Sequence, residues 1–247
     1  MSIKSAVGPI VVKIGGSLIF GDSKALKASR LKHVFDAFSE ELGENVVYVL
    51  GSGSIMHDLS FKYKMNDPAD IGIRMRGFAM MTSIIRERLP IIEKTLAHGV
   101  IDPMHMFYKA THGNKFSSEI VWFSRMALKK LPAVVTSGVV LDRNILFATI
   151  SSDSEAAYIA THMHSSRIIM ATATDGIIDD QGKTVKTVSI KEYSNIPFIT
   201  GGMRDKIRRT TPAVKAGIEV IVLGGDSVAK IGLSSTLKNG RYTKVVK

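Results

Sequence analysis

Twice within the first sixty residues a short apolar run breaks on a glycine-bearing turn, where a helix-periodic stretch then begins. Pro9-Ile10-Val11-Val12-Lys13-Ile14 leads into Gly15-Gly16-Ser17, and Val46-Val47-Tyr48-Val49-Leu50 leads into Gly51-Ser52-Gly53-Ser54. Strands covered on both faces read as continuous apolar runs, and strands joined through helices pair in parallel. The repeat therefore predicts an α/β chain built on a mainly parallel sheet.

The remaining segments fit that plan. From Lys24 to Leu42, Leu31, Val34, Phe35, Phe38 and Leu42 recur at three- and four-residue intervals, and Gly43 supplies a helix stop. A long helical stretch covers Asp70 to His98, kinked or divided at Pro90, and another covers Ser117 to Lys130. Strands are expected at Ala133–Thr136, Arg167–Ala171 and Glu219–Leu223, a helix at Met203–Ala216, and a hairpin over Val139–Ile150 centred on Asp142-Arg143-Asn144. With no long linker, the 247 residues read as one compact unit of two lobes, 1–165 and 166–247.

Cysteine is absent, which excludes disulfides, thiolate metal sites and cysteine nucleophiles. The start lacks the apolar core and cleavage site of a signal peptide, and no later segment offers about 18 uncharged apolar residues. A cytoplasmic protein without a membrane span is the expectation. The net charge of +11 raises a nucleic-acid or other polyanionic partner. Its cations, such as Lys24, Lys27, Arg30, Lys32, Arg86, Arg88, Lys129 and Lys130, are scattered beside apolar faces, which favours solvated helix surfaces over a nucleic-acid surface.

Ligands of open α/β sheets sit beyond the carboxyl ends of the strands, where the glycine turns fall. Gly15-Gly16-Ser17 lets the backbone approach a phosphate, with N–H groups of the next helix behind it, and Lys13 stands just before. Neither a Walker A string nor G-x-G-x-x-G occurs, so this turn alone reads equally as close packing. Gly51-Ser52-Gly53-Ser54 shifts the balance, because two such turns on neighbouring strands face one another. His57, a helical turn further on, is placed to donate to an acceptor phosphate; the other six histidines have no comparable setting. Thr200-Gly201-Gly202-Met203-Arg204-Asp205-Lys206 is a third glycine turn opening a helix, with Lys206 opposite Lys13, and Asp153 could orient a lysine or a metal-bound water. Ile73, Phe78, Met81 and Ile85 form a stripe that reads first as core and second as an apolar slot.

These segments resemble the amino acid kinase family, most closely its isopentenyl phosphate kinase branch, with fosfomycin-resistance kinases next. Lys13 to Ser17 is similar to the family's K-x-G-G-S, Gly51 to His57 to G-G-G-S-F-G-H, Thr172 to Gly176 to T-D-V-D-G, and Thr200 to Lys206 to T-G-G-M-x-x-K. The chain departs from the family at Ser52, Met56, Val139, Ala173 and Asp205.

The resemblance implies a three-layer αβα sandwich with the acceptor in the N-terminal lobe and ATP, carrying Mg2+, in the C-terminal lobe. It implies that Lys13 and Lys206 stabilise the moving phosphoryl group, that Gly16 and Gly53 donate N–H groups, that His57 holds the acceptor phosphate and that Asp153 sets the lysines. Gly51, Ser52, Gly53, Ser54 and Gly138 would surround the acceptor. Gly15, Gly16, Ser17, Thr172, Asp175, Gly176, Gly201, Gly202 and Met203 would surround the nucleotide. The implied acceptor is a small alkyl phosphate, isopentenyl phosphate first, and the implied assembly is a homodimer. A phosphonate or nucleoside monophosphate acceptor stands as the alternative, as does a non-catalytic nucleotide-binding or nucleic-acid-binding protein on the same fold.

Overall fold

A computed structural model describes residues 8–20, 25–67, 70–101, 108–109, 132–142 and 146–247. The chain opens with β1 (Ile10–Ile14), α1 (Gly16–Phe20), α2 (Ala28–Leu42), β2 (Val46–Leu50), α3 (Ser54–Lys62) and α4 (Ile71–Leu96). Then come β3 (Val100–Ile101), β4 (Tyr108–Lys109), β5 (Ala133–Thr136), β6 (Val139–Asp142), β7 (Leu146–Thr149) and α5 (Ser152–His162). The last part is β8 (Arg167–Thr172), β9 (Thr187–Ser189), α6 (Gly201–Lys215), β10 (Glu219–Gly224), α7 (Gly225–Ile231), α8 (Leu233–Lys238) and β11 (Tyr242–Val246).

Eight strands form one sheet in the order β3-β5-β2-β1-β8-β10-β11-β9. Every pairing in it is parallel except β10 with β11. The predicted mainly parallel sheet is therefore present, and the hairpin appears as the antiparallel pair β6–β7 in a second sheet with β4. β1 lies between β2 and β8, so the sheet runs unbroken across residue 165.

Side-chain alternation along each strand divides the core in two. Val11, Val47, Val49, Ile168, Met170, Val220 and Val222 face α5 and α6, while Val12, Ile14, Tyr48, Leu50, Ile169, Ile221 and Leu223 face α1, α2 and α7. Helices thus cover both faces of the sheet, which is the three-layer arrangement. On α2 the periodic residues Leu31, Val34, Phe35 and Phe38 are the buried ones, and the Phe35 ring lies 4.5 Å from that of Tyr48. Burial pushes the Tyr48 hydroxyl up to about 12, with Ser39 Oγ at 3.1 Å as its partner.

Some boundaries differ from expectation. A one-turn helix, α1, follows the first glycine turn, and α2 begins at Ala28 rather than Lys24. α4 continues through Pro90 without dividing, since its packing partners hold both halves: Met81 and Ile85 lie in one buried cluster and Ile92 and Leu96 in another. Asp70 caps α4 by accepting from the Ile73 N–H at 3.0 Å. The helix expected over 117–130 and the 143–145 turn of the hairpin lie outside the described residues.

On the sheet-facing side of α5, one turn before Ile159, Glu155 is wholly buried and both its carboxyl oxygens lack a hydrogen-bond partner. Desolvation pushes its pKa well above the ordinary 4.5, so the native state holds the proton. The unfolded chain releases that proton above the ordinary value, and the group therefore works increasingly against folding as pH rises past it. Glu155→Leu is expected to raise the thermal midpoint at pH 7, with the gain shrinking toward pH 4. A lower midpoint at pH 7 would show that the carboxyl has a stabilising partner.

Candidate active site

The two N-terminal glycine turns are packed backbone against backbone. A Cβ on Gly16 would lie 2.5 Å from the Gly53 nitrogen, and one on Gly51 would lie 2.6 Å from the Gly16 nitrogen. Only glycine permits this approach. Gly53 also has φ of +83° and no room for a Cβ, which would meet the Phe20 ring at 2.5 Å. The Gly15 N–H is committed to the Ala171 carbonyl at 2.9 Å, and the Gly51 N–H to that of Ile14 at 2.8 Å. Gly16 and Gly53 are left as the turn residues whose N–H groups precede or open a helix, where no intrahelical acceptor exists.

Beside the turns, three charges from three elements converge. Lys13, at the end of β1, and Lys206, in the second turn of α6, both reach Oδ1 of Asp153, at 3.0 and 2.9 Å. Asp153 lies in the first turn of α5, whose cap Ser151 accepts from the Asp153 N–H at 3.3 Å. Both lysines are buried. The two ammonium groups hold the Asp153 carboxylate far below the usual range against its own burial. Burial, then the neighbouring Lys13 ammonium, draws Lys206 down to about 8 in spite of Asp153. Two cations sharing one anion leave one net positive charge.

These groups line a cavity of about 1330 Å³. Of the residues expected from sequence, it brings together Lys13, Gly15, Gly16, Ser17, Gly51, Ser52, Gly53, Ser54, His57, Gly138, Asp153, Thr172, Gly202, Met203 and Lys206. His57 stands exposed on α3 at its edge. Asp175, Gly176 and Gly201 are outside the lining. Asp175 instead accepts from the Ser227 hydroxyl at 2.5 Å, and Gly176 sits in left-handed geometry against Thr243.

Met81, from the stripe read first as core and second as an apolar slot, lines the cavity with Met56 and Met65 as a methionine surface. Sequence reasoning did not name Ser60, Asn66 and Thr149, which form a hydrogen-bonded polar group, with Ser60 Oγ and Asn66 Nδ2 at 2.8 and 2.9 Å from Thr149 Oγ1. Arg209 enters one turn beyond Lys206 and donates to the Ser154 hydroxyl at 3.1 Å. Its spacing from Lys206 was the available signal; the polar group had none, since its members come from α3, the segment after it and β7.

The donor set is amide, hydroxyl and ammonium, with Asp153 already occupied by two lysines, and it suits phosphate groups. Among the described residues no group of three or more His, Asp or Glu side chains comes together as a metal cage. A Mg2+ ion at this site would therefore have to be held through ligand phosphates rather than by protein carboxylates.

Residues 8–224 match the amino acid kinase family. The chain belongs to this family. Among its relatives, the isopentenyl phosphate kinase of Methanocaldococcus jannaschii is 26% identical over 220 residues, covering 80% of this chain and 84% of that protein. The acetylglutamate kinase of a Hydrogenobaculum species is 22% identical over 267 residues, covering 95% and 90%. A crystal structure of T. acidophilum isopentenyl phosphate kinase in a product complex superposes with a TM-score of 0.74 at 14% identity, covering 96% of this chain and 99% of that one. The fold is the family's. No described helix is long and apolar enough to cross a membrane.

Removing the shared anion exposes what it balances. Asp153→Asn leaves two buried ammonium groups facing each other and is expected to cost about 3–5 kcal/mol in urea unfolding. Adding Lys206→Met to that variant should recover part of the loss. A double variant no more stable than Asp153→Asn would mean the lysines do not share this carboxylate.

Proposed function

We propose that the chain transfers the γ-phosphate of MgATP to a small phosphorylated acceptor, with isopentenyl phosphate, giving isopentenyl diphosphate, as the first choice. The observation that carries the reading is the pair of lysines on one carboxylate beside two glycine turns in backbone contact. Phosphoryl transfer needs little covalent help from a protein; it needs two anions held in line and the charge spread over the moving phosphoryl group stabilised. The acceptor phosphate is already an anion near neutral pH, so no strong base is required.

In this reading Lys13 and Lys206 contact the transferred group from opposite sides, and Asp153 keeps both ammonium groups aimed at it. Gly16 and Gly53 donate N–H groups to the phosphates, and His57 donates to the acceptor phosphate. Residues 1–165 hold the acceptor and residues 166–247 the nucleotide, whose phosphates would lie along Gly202, Met203 and Thr172. Mg2+ would arrive on the nucleotide and screen its charge. The methionine surface of Met56, Met65 and Met81 favours an apolar tail on the acceptor. The hydrogen-bonded Ser60, Asn66 and Thr149 on the same cavity favour a second reading, a hydroxyl-bearing phosphonate or nucleoside monophosphate.

An acceptor panel of isopentenyl phosphate, fosfomycin, UMP and N-acetylglutamate with MgATP, followed by ADP release and product mass, separates these. Isopentenyl phosphate is expected to turn over fastest; its failure beside success of another compound would reject the first choice. Lys13→Ala should slow turnover on the order of 10²-fold or more, the cost of one preorganised transition-state donor. Unchanged turnover in that variant would remove the phosphotransfer assignment.

A pH profile tests Lys206 separately. In the free protein it is a cation below about 8 and loses its charge as pH rises through that value. The profile of kcat/KM is expected to fall on the alkaline side from about pH 8, as the free enzyme's essential group titrates. Lys206→Arg, which keeps its charge at any accessible pH, should lose this alkaline fall whatever its absolute rate. Retention of the same limb in that variant would assign it to another group.

A further inference from the structure

Arg88 is outside that cavity's lining yet touches the second glycine turn and the helix that follows the first. It lies on α4, half-buried, and its Nη1 donates to the Ser52 carbonyl at 2.8 Å. Its guanidinium carbon is 4.0 Å from the centre of the Phe20 ring. Phe20 closes α1, the helix that continues the first turn, and the same ring fills the space beside Gly53 that a Cβ would need. One cation therefore ties the helix after the first turn to the backbone of the second.

The direction of that bond matters more than its strength. Among the described residues no peptide is cis, and in a trans peptide the C=O and the following N–H point to opposite sides. With the Ser52 oxygen held toward Arg88, the Gly53 N–H points away from it. Gly53 lines the cavity together with Gly16, whose Cβ position would be 2.5 Å from the Gly53 nitrogen. Glycine at 53 has no side chain to resist rotation of this peptide, so the Arg88 bond adds a restraint on its orientation to that of the backbone packing.

We propose that Arg88 is a positioning residue that fixes the Ser52–Gly53 peptide so that the Gly53 N–H donates into the cavity, with Phe20 as the platform that holds the guanidinium. The proposal rests on the reading of the cavity as a phosphate site. A role in packing alone would be served by any long side chain at 88. A role in orienting the peptide requires a donor there and shows at one amide.

The test is a titration of the full chain with inorganic pyrophosphate, followed by ¹⁵N amide spectra. In the parent protein the Gly16 and Gly53 amides are expected to shift together. In Arg88→Met the Gly53 response should be lost while that of Gly16 remains, Arg88→Lys should restore part of it, and Phe20→Leu should weaken it. If Arg88→Met does not fold, Arg88→Lys and Phe20→Leu carry the same comparison. A Gly53 amide that responds in Arg88→Met as in the parent overturns the proposal, and so does one that ignores pyrophosphate in the parent. With isopentenyl phosphate and MgATP, Arg88→Met should raise the acceptor KM about tenfold, the scale of one lost hydrogen bond, and leave the ATP KM within about twofold. The amide titration does not depend on which acceptor turns over. Rejection of isopentenyl phosphate in the panel therefore leaves it readable, and successful turnover beside an unaltered Gly53 response in Arg88→Met rejects the role of Arg88 alone.

Discussion

The contact of Lys13 and Lys206 with a single oxygen of Asp153 is the interaction on which the site depends. Bringing two ammonium groups out of water is costly, and placing them side by side adds repulsion. Asp153 offsets both, but only one carboxylate serves two cations, so the cluster keeps a net positive charge and the pKa of Lys206 stays depressed at about 8. In the proposed reaction, arriving phosphate oxygens would complete the charge balance that the protein leaves open. The same cluster holds three elements together and leaves a positive charge at the point where they meet.

Its geometry follows from the sheet. β1 is central, between β2 and β8, so Lys13 at its carboxyl end emerges in the middle of the molecule beside the second glycine turn. α5 and α6 lie on one face and present Asp153 from the first turn and Lys206 from the second. Glycine at 16, 51 and 53 then lets two turns share a space that side chains would occupy. The close approach of backbones and the convergence of charges are two results of one arrangement of parallel strands.

Much of this was legible in the sequence because its signals are local. The apolar runs at 10–14 and 46–50, the periodic face of α2 and the stop at Gly43, whose φ is +70°, each depend on a few adjacent residues. Lys13, Asp153 and Lys206 are far apart in the chain; each was named from its own turn or segment, and the resemblance to family motifs gave them one shared role. Glu155 was missed because a glutamate on a helix reads as exposed, and only the placement of α5 against the sheet buries it. Arg88 was read as part of a solvated face for the same reason: nothing near it in sequence announces Ser52 or Phe20. Asp175 and Gly176 were put by the nucleotide through a matched motif; in the fold they lie outside the cavity lining, Asp175 accepting from Ser227 and Gly176 packed against Thr243.

The departures from the family pattern take on a common meaning in three dimensions. Met56 and Val139 are both buried in one small apolar cluster with Met65, Met81 and Ile85, beside Gly138, where a Cβ would meet Ile85 Cδ1 at 2.8 Å. Where the family pattern has a glycine and an acidic residue, Met56 and Val139 thus join one apolar cluster between α3, α4 and β6, and Met56 lines the cavity. Ala173 is exposed and outside the lining, so its change removes an acid without leaving a buried partner unpaired. Ser52 keeps the backbone role of its position through the carbonyl that Arg88 holds. In the proposed reading the charged cluster keeps to the family motifs, whereas the acceptor side of the cavity joins an apolar surface to the polar group of Ser60, Asn66 and Thr149. An acceptor in the proposed reaction would set its apolar part against Met56, Met65 and Met81, and any polar group beyond its phosphate would meet Ser60, Asn66 and Thr149.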